Sequence, residues 1–113
     1  MAKFPMPGTP VRGSRTGKPL MAIFDLLGRS WTIGLLWHLS DGGDATFGEL
    51  QQRCEGISPT VLTTRLNELR QGGLVARTDH GYTATPLGRE LFEMLAPLGS
   101  WSRKWAATIT TDA

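Results

Sequence analysis

The short connection between two helix signals near the middle of the chain limits its fold more than any other feature. Residues 46–49 have the Thr-x-x-Glu spacing of a capping box, which predicts a short helix that ends near Cys54. Gly56 closes that helix, and Ser58 with Pro59 supplies an N-cap followed by proline in the first turn of the next helix. Two helices joined by so short a glycine turn predict a helix-turn-helix.

Hydrophobic spacing predicts further helices on the N-terminal side of this motif. Pro19 suits the first turn of a helix whose apolar residues recur every three to four positions until Gly28. Ser30 is expected to cap a second helix. Because that second helix is apolar on more than one side, we expect it to lie in the centre of the core.

On the C-terminal side the pattern changes from helix to strand and back. The helix after the turn is expected to end near Gln71, and residues 74–78 and 82–85 then alternate as the strands of a β-hairpin. A last helical segment begins at Pro86 and is expected to be interrupted at Pro97. The expected fold is mostly α with a small β-hairpin wing (α+β), a winged helix-turn-helix with extra N- and C-terminal helices.

Charge is unevenly distributed along the chain. The 113 residues, enough for one domain, carry a formal net charge of +2, but residues 1–24 hold four Lys or Arg and no acid. Residues 1–18 lack a hydrophobic period, so we expect a flexible basic arm that is either a disordered terminus or a contact to DNA phosphates or a minor groove. The domain is expected at residues 19–109 and a tail at 110–113.

Composition argues against several classes of function. The nitrogen and sulfur ligands are His38, His80 and Cys54 without metal-binding spacing, so we expect no metal site and no cofactor. No catalytic or nucleotide-binding motif is present, so we do not expect an enzyme. No apolar run is long enough to span a bilayer and no secretory signal follows Met1, so we expect a cytoplasmic protein without a membrane partner.

An ordered series of short segments resembles the HxlR-type transcriptional regulators, a branch near the MarR-type family. The segments are DLLGRSW (25–31), LWHL (36–39), FGEL (47–50), GIS (56–58), LTTRLNEL (62–69) and GLVAR (73–77). The resemblance extends over about residues 19–105. It implies a cytoplasmic bacterial or archaeal homodimer that binds double-stranded operator DNA, and hence a sequence-specific regulator of a pseudo-palindromic site.

The second helix of the helix-turn-helix has an uncharged polar face. With its leucines in the core, a rotation of about 100° per residue leaves five hydrogen-bonding side chains on the opposite side. They are Thr60, Thr63, Thr64, Asn67 and Gln71. Asn and Gln pair with adenine and a Thr methyl touches thymine, so this face is expected to contact base edges, with plain solvent exposure as the alternative. Ser58 and the free amides beside it are expected to bind a phosphate.

Three more side chains are candidates for DNA contacts. Arg65 lies at the edge of the apolar face, so it is either a phosphate contact or a structural partner of Glu49 or Glu68. The resemblance implies a backbone contact for Arg77 on the first wing strand. His80 at the wing tip either enters a minor groove or occupies a turn.

The chain departs from the HxlR pattern in its charge. Basic residues are common in the family where Thr60 and Asn67 stand here, and the charges of residues 47–85 cancel. A neutral surface gains little from counterion release. The alternative function is therefore a winged-helix protein-interaction module with weak or lost operator binding.

Cysteine usage differs from the family as well. Many HxlR-type proteins carry a cysteine before the proline of the first helix, where this chain has Lys18, so thiol sensing by that residue is absent. Cys54 is either a lone redox switch or a small buried residue under the turn.

The first and last helices carry apolar stripes that a monomer of this size covers poorly. We expect these stripes to form a symmetric homodimer interface. Its predicted residues are Leu20, Ile23, Phe24, Leu27, Leu91, Leu95, Leu98, Trp101 and Trp105. A repressor gated by an unknown small-molecule effector at the tryptophan-rich interface is a further alternative.

Overall fold

The computed structural model describes residues 3–111. Within them the chain forms six helices and one two-stranded hairpin. The elements in order are α1 (Pro19–Leu27), α2 (Thr32–Asp41), α3 (Phe47–Arg53), α4 (Pro59–Gln71), β1 (Val75–Thr78), β2 (Gly81–Ala84), α5 (Pro86–Leu95) and α6 (Leu98–Thr111).

Helix α2 is the centre of the core, as its apolar sides predicted. Leu35, Leu36 and Leu39 are fully buried, and α1, α3, α4, α5 and β2 all pack against this helix. On the α5 side the ring of Trp37 meets that of Phe92 edge to face at 5.0 Å.

The start of α2 differs from the expectation. Its N-cap is Trp31, in the left-handed region with φ of 73°, and not Ser30. The carbonyl oxygen of Ser30 instead accepts a hydrogen bond from Nε of Arg65 at 2.7 Å. A contact from a distant part of the chain therefore holds Ser30 outside the helix.

The helix-turn-helix of α3 and α4 forms as predicted. Oγ1 of Thr46 accepts a hydrogen bond from the Glu49 amide at 3.1 Å, and the Glu49 carboxylate accepts one from the Thr46 amide at 2.9 Å. Ser58 caps α4, since its Oγ accepts a hydrogen bond from the Val61 amide at 3.1 Å. Ile57, in the turn, is buried in the core.

The wing is an antiparallel hairpin in which Val75 pairs with Ala84 and Thr78 with Gly81. Its strands confirm the predicted hairpin. The other edge of β2 pairs with the segment before α3, because Ala45 and Tyr82 exchange backbone hydrogen bonds of 3.0 and 2.7 Å. This pairing, which the sequence did not predict, fixes the wing to the helix-turn-helix.

The C-terminal helices are separated as expected near Pro97. Thr85 caps α5 through a 3.0 Å hydrogen bond from the Gly88 amide to its Oγ1. Helix α6 then continues to Thr111, two residues into the segment predicted as a tail; residues 112–113 of that tail lie outside the described residues.

Residues 3–18, predicted as a flexible basic arm, contact the rest of the domain at several points in this structure; residues 1–2 lie outside the described part. Phe4 packs on the core, Pro5 is buried, and the amide of Arg12 donates to the Asp25 carboxylate at 3.1 Å. These contacts are specific and have no periodicity, so the hydrophobic pattern could not reveal them.

No single helix within residues 3–111 is long and apolar enough to cross a membrane; α1 and α2 reach the required length and composition only together, and they are bent by 88°.

Candidate nucleic-acid interface

The predicted DNA-contacting side chains of α4 share one side of the helix. Thr60, Thr63 and Asn67 are exposed and Thr64 is half-buried, at the i, i+3, i+4 and i+7 spacing that places residues on one face. The Thr64 hydroxyl donates to the carbonyl oxygen of Thr60 at 3.0 Å, so its methyl group and its oxygen, as an acceptor, remain for an outside contact. These four residues are called the polar face below.

The N-terminus of α4 lies at the end of the polar face. The exposed Ser58 accepts a hydrogen bond as N-cap, and its hydroxyl can still donate to an outside acceptor. Partial positive charge at a helix N-terminus favours an anion there. The arrangement suits a phosphate oxygen.

A shallow cleft of about 660 Å³ lies between α4 and β1. It is lined by Asn67, Arg70, Gln71, Val75, Ala76 and Arg77. Both arginines are exposed, so they can bind phosphate at the edge of the polar face. Arg70 is a residue that the sequence reasoning missed, although its position three residues after Asn67 could have indicated it.

The wing brings its two predicted residues to the surface. The Arg77 guanidinium lies 5.8 Å from the centre of the Tyr82 ring, a cation–π contact that orients it. His80 is exposed in the hairpin turn, where its amide donates to Oγ1 of Thr78 at 3.2 Å. The structure therefore gives His80 a role in the turn and leaves its imidazole exposed.

The side chain of Arg65 is held by hydrogen bonds to residues outside the polar face. Its guanidinium donates to the Ser30 carbonyl oxygen at 2.7 Å and to the Glu68 carboxylate at 3.0 Å. The sequence left Glu49 and Glu68 as possible partners of Arg65, and the structure pairs Arg65 with Glu68.

Cys54 has the surroundings of a structural residue. It is buried at the C-cap of α3, and burial raises the pKa of its thiol, an effect that the neighbouring Arg53 partly offsets. A raised pKa disfavours the reactive thiolate at neutral pH.

The predicted dimer residues divide into two groups. Ile23, Leu91 and Leu95 pack against the core and Leu27 is half-buried. The other five, Leu20, Phe24, Leu98, Trp101 and Trp105, are half or more exposed. The structure adds three exposed apolar side chains that the sequence reasoning left out, Leu87, Met94 and Ile109. These eight exposed apolar side chains lie on α1, α5 and α6.

A family model described as HxlR-like helix-turn-helix matches residues 26–110. The chain belongs to the HxlR-like helix-turn-helix family. The match includes the helix-turn-helix, the wing and both C-terminal helices. Membership confirms the resemblance given by the sequence motifs, and with it the winged helix-turn-helix fold and a DNA-binding role in transcription regulation.

Individual HxlR-like and related proteins agree with this assignment. The HTH-type transcriptional regulator MJ0925 of Methanocaldococcus jannaschii is 30% identical over 89 residues, which are 75% of this chain and 83% of the relative. The structure of quinone-bound YodB from B. subtilis superposes with a TM-score of 0.69 at 31% identity, covering 76% of this chain and 97% of that one. A protein from Thermoplasma volcanium that is described as a possible HxlR family transcriptional factor has a TM-score of 0.71 at 26% identity, covering 80% of this chain and 86% of that one.

Proposed function

We propose that this HxlR-like chain is a sequence-specific DNA-binding regulator that acts as a homodimer on a pseudo-palindromic operator. The observation that carries the proposal is the uncharged polar face of α4 beside a cleft that presents Arg70 and Arg77. Asn can form hydrogen bonds with adenine and Thr methyl groups can contact thymine, so this face suits base-edge recognition. A face that is merely solvated is more often lined by Lys and Glu.

The proposal divides the contacts by chemistry. Asn67 can form two hydrogen bonds with an adenine edge, and the methyl groups of Thr60, Thr63 and Thr64 can pack on thymine methyls. These contacts carry sequence information.

Phosphate contacts are proposed for the rim of this surface. Ser58 at the α4 N-terminus and the two arginines of the cleft lie there, with His80 at the wing tip. Backbone contacts fix the register of the protein on DNA without selecting a base.

Because residues 47–85 carry no net charge, we expect electrostatic attraction to contribute only modestly to DNA affinity. Arg65 is paired with Glu68, and Arg53 donates to the carbonyl oxygens of His38 and Gly43. Arg70 and Arg77 remain for phosphates on each protomer, and each phosphate contact contributes about 0.9 to the slope of log affinity against log salt. In the proposed homodimer, two protomers on one operator double the number of these contacts.

The test begins with selection of bound sequences from random duplexes. The proposal expects an enriched motif with two related half-sites, as a two-fold symmetric dimer requires. Selection that enriches no motif would favour a protein-interaction module instead.

Two variants then separate base contacts from phosphate contacts. Asn67→Ala is expected to lose about 1–3 kcal/mol of discrimination at one position of each half-site. Arg77→Gln is expected to weaken binding to all duplexes alike and to reduce the salt slope by about 1 per protomer. The matched control is Arg103→Gln on α6, an exposed arginine that lies on neither α4 nor the wing, which should change neither quantity.

A further inference from the structure

A charge cluster connects α4 to the start of α2. Arg29 lies in the connection between α1 and α2, while Arg65 and Glu68 lie on α4. Each oxygen of the Glu68 carboxylate accepts from a different arginine: Oε2 from Nη1 of Arg29, and Oε1 from Nη1 of Arg65 at 3.0 Å. The side chains of Arg29 and Glu68 are only 9% exposed and that of Arg65 is 19% exposed. These three residues are called the Glu68 cluster.

Both arginines of the Glu68 cluster are also held from their other sides. Nη2 of Arg29 donates to the carbonyl oxygen of Lys3 and lies 3.7 Å from the Asp25 carboxylate. Nε of Arg65 donates to the carbonyl oxygen of Ser30, next to the left-handed Trp31. The cluster therefore ties α4 to the α1–α2 corner, which comprises residues 28–31, and to the N-terminal segment.

The geometry of these bonds fixes the rotation of α4. A guanidinium presents its donors in one plane, so two bonds to different partners determine direction as well as distance. Charge-assisted bonds with little exposure are strong, and removing one partner leaves an uncompensated charge behind. Thr64 immediately precedes Arg65 and Asn67 immediately precedes Glu68, so any rotation that breaks the cluster also moves the polar face.

We propose that Glu68 is a positioning residue for DNA recognition, because its carboxylate sets the rotation of α4 against the α1–α2 corner through Arg29 and Arg65. Arg65 accordingly serves the position of the helix and does not contact a phosphate. The inference rests on the proposed function of α4 as the DNA-contacting helix.

The first experiment needs no DNA. Amide hydrogen exchange is compared between the full chain, Glu68→Gln and the control Glu55→Gln, an exposed carboxylate after the end of α3. Glu68→Gln is expected to speed exchange about tenfold or more at α4 and at the α1–α2 corner together, with smaller changes in α5. An equal acceleration at every amide, or none at the corner, would overturn the proposal, because either result describes a residue with a general role in stability or with no role.

The second experiment uses the duplex selected from the random pool, at a temperature where every variant is folded. Glu68→Gln and Arg29→Met are expected to lower the ratio of selected to unselected affinity about tenfold, while the salt slope stays unchanged. Arg29 is on the corner and not on α4, and its ion pair with Glu68 is the contact that links it to that helix.

Arg65→Met decides between the two roles of that side chain. A lower affinity ratio with an unchanged salt slope supports positioning, whereas a slope reduced by about 1 per protomer identifies a phosphate contact and refutes the proposal.

If single variants fail to fold, the triple variant Arg29→Met, Arg65→Met, Glu68→Leu removes all three charges at once, which is often tolerated by a fold. A triple variant that keeps the full affinity ratio would also refute positioning. Should the full chain select no motif, the proposed function fails while the exchange measurement still decides whether the cluster fixes α4.

Discussion

Glu49 stabilises the first turn of α3 through a charge that acid can remove. Its carboxylate accepts the hydrogen bond from the Thr46 amide, and the Thr46 hydroxyl accepts one from the Glu49 amide. The hydrogen bond with the Thr46 backbone lowers the pKa of Glu49 most, and the hydrogen bond with the Thr46 side chain lowers it further. The charge of Arg53 adds a smaller effect in the same direction.

This lowered pKa predicts how stability depends on pH. The contribution of Glu49 is fully present above its unfolded pKa of about 4.3 and is lost as pH falls through the lower folded pKa. Glu49→Gln keeps an oxygen acceptor for the cap but cannot titrate. We expect the full chain to be more stable than Glu49→Gln at pH 7 and this advantage to vanish toward pH 3, as measured by urea unfolding. A difference that stays constant between pH 3 and pH 7 would contradict the prediction.

The caps show what single residues could reveal in advance. Thr46 and Ser58 were predictable as N-caps because Ser and Thr are favoured at that position and a helix signal follows each. In the structure each accepts a hydrogen bond from the amide three residues later, and Thr85 caps α5 in the same way. Ser30 has the same propensity but does not cap α2, since its backbone carbonyl is held by Arg65, 35 residues away. A local pattern cannot show a contact of that range.

At the scale of elements, the packing of α5 on the strand side of the domain depends on Gly88. A Cβ atom on Gly88 would lie 2.1 Å from the carbonyl oxygen of Leu74, which immediately precedes β1. The glycine therefore lets the first turn of α5 approach the backbone of the wing.

This close approach predicts opposite effects for two glycine substitutions. Gly88→Ala is expected to push α5 from the hairpin and to cost about 3 kcal/mol of unfolding free energy. Gly48→Ala in α3 is the matched control, since nothing lies within 4 Å of its Cβ position, and it is expected to gain about 0.4–1 kcal/mol. Thermal and urea unfolding of both variants measure the difference; equal effects would show that the contact at Gly88 relaxes without cost.

The helices and strands were largely predictable from the sequence, whereas the contacts that join them to one another were less so. Periodicity and caps give the α3–α4 motif and the hairpin, because those signals are local. The pairing of Ala45 with Tyr82 involves one residue pair and leaves no periodic pattern. Likewise, Phe4 packs on the core from a segment without hydrophobic periodicity, so its position depends on tertiary packing that a local sequence pattern does not show.

At the scale of the whole molecule, the exposed stripe of α6 supports the proposed homodimer. At about 100° per residue, Leu98, Trp101, Trp105 and Ile109 fall on one side of α6, and the two tryptophan rings stack with centroids 6.3 Å apart. Trp105 is 50% exposed in the protomer. The amphipathic pattern was visible in the sequence, whereas the added exposure of Met94 and Leu87 on α5 depends on how α5 and α6 are placed.

A pair of charge substitutions tests the dimer. Trp105→Glu places a carboxylate within the apolar stripe and is expected to convert a sedimenting dimer to monomer at micromolar concentration, because an interface would have to bury an unpaired charge. Ala107→Glu puts the same charge on the opposite, exposed side of α6 and should leave the dimer intact. A full chain that sediments as a monomer would contradict the homodimer directly.

Helix α6 buries none of its residues within its own protomer. A helix of 14 residues is only marginally stable by itself in water, so its helical state depends on whatever covers its apolar side. In the proposed dimer, the folding of α6 and the association of two chains become a single equilibrium, and the melting temperature rises with protein concentration. The cellular concentration of the regulator would then set the fraction of chains present as dimers, which carry the two α4 helices needed for both half-sites. In the proposed dimer, the expression level therefore adjusts DNA occupancy.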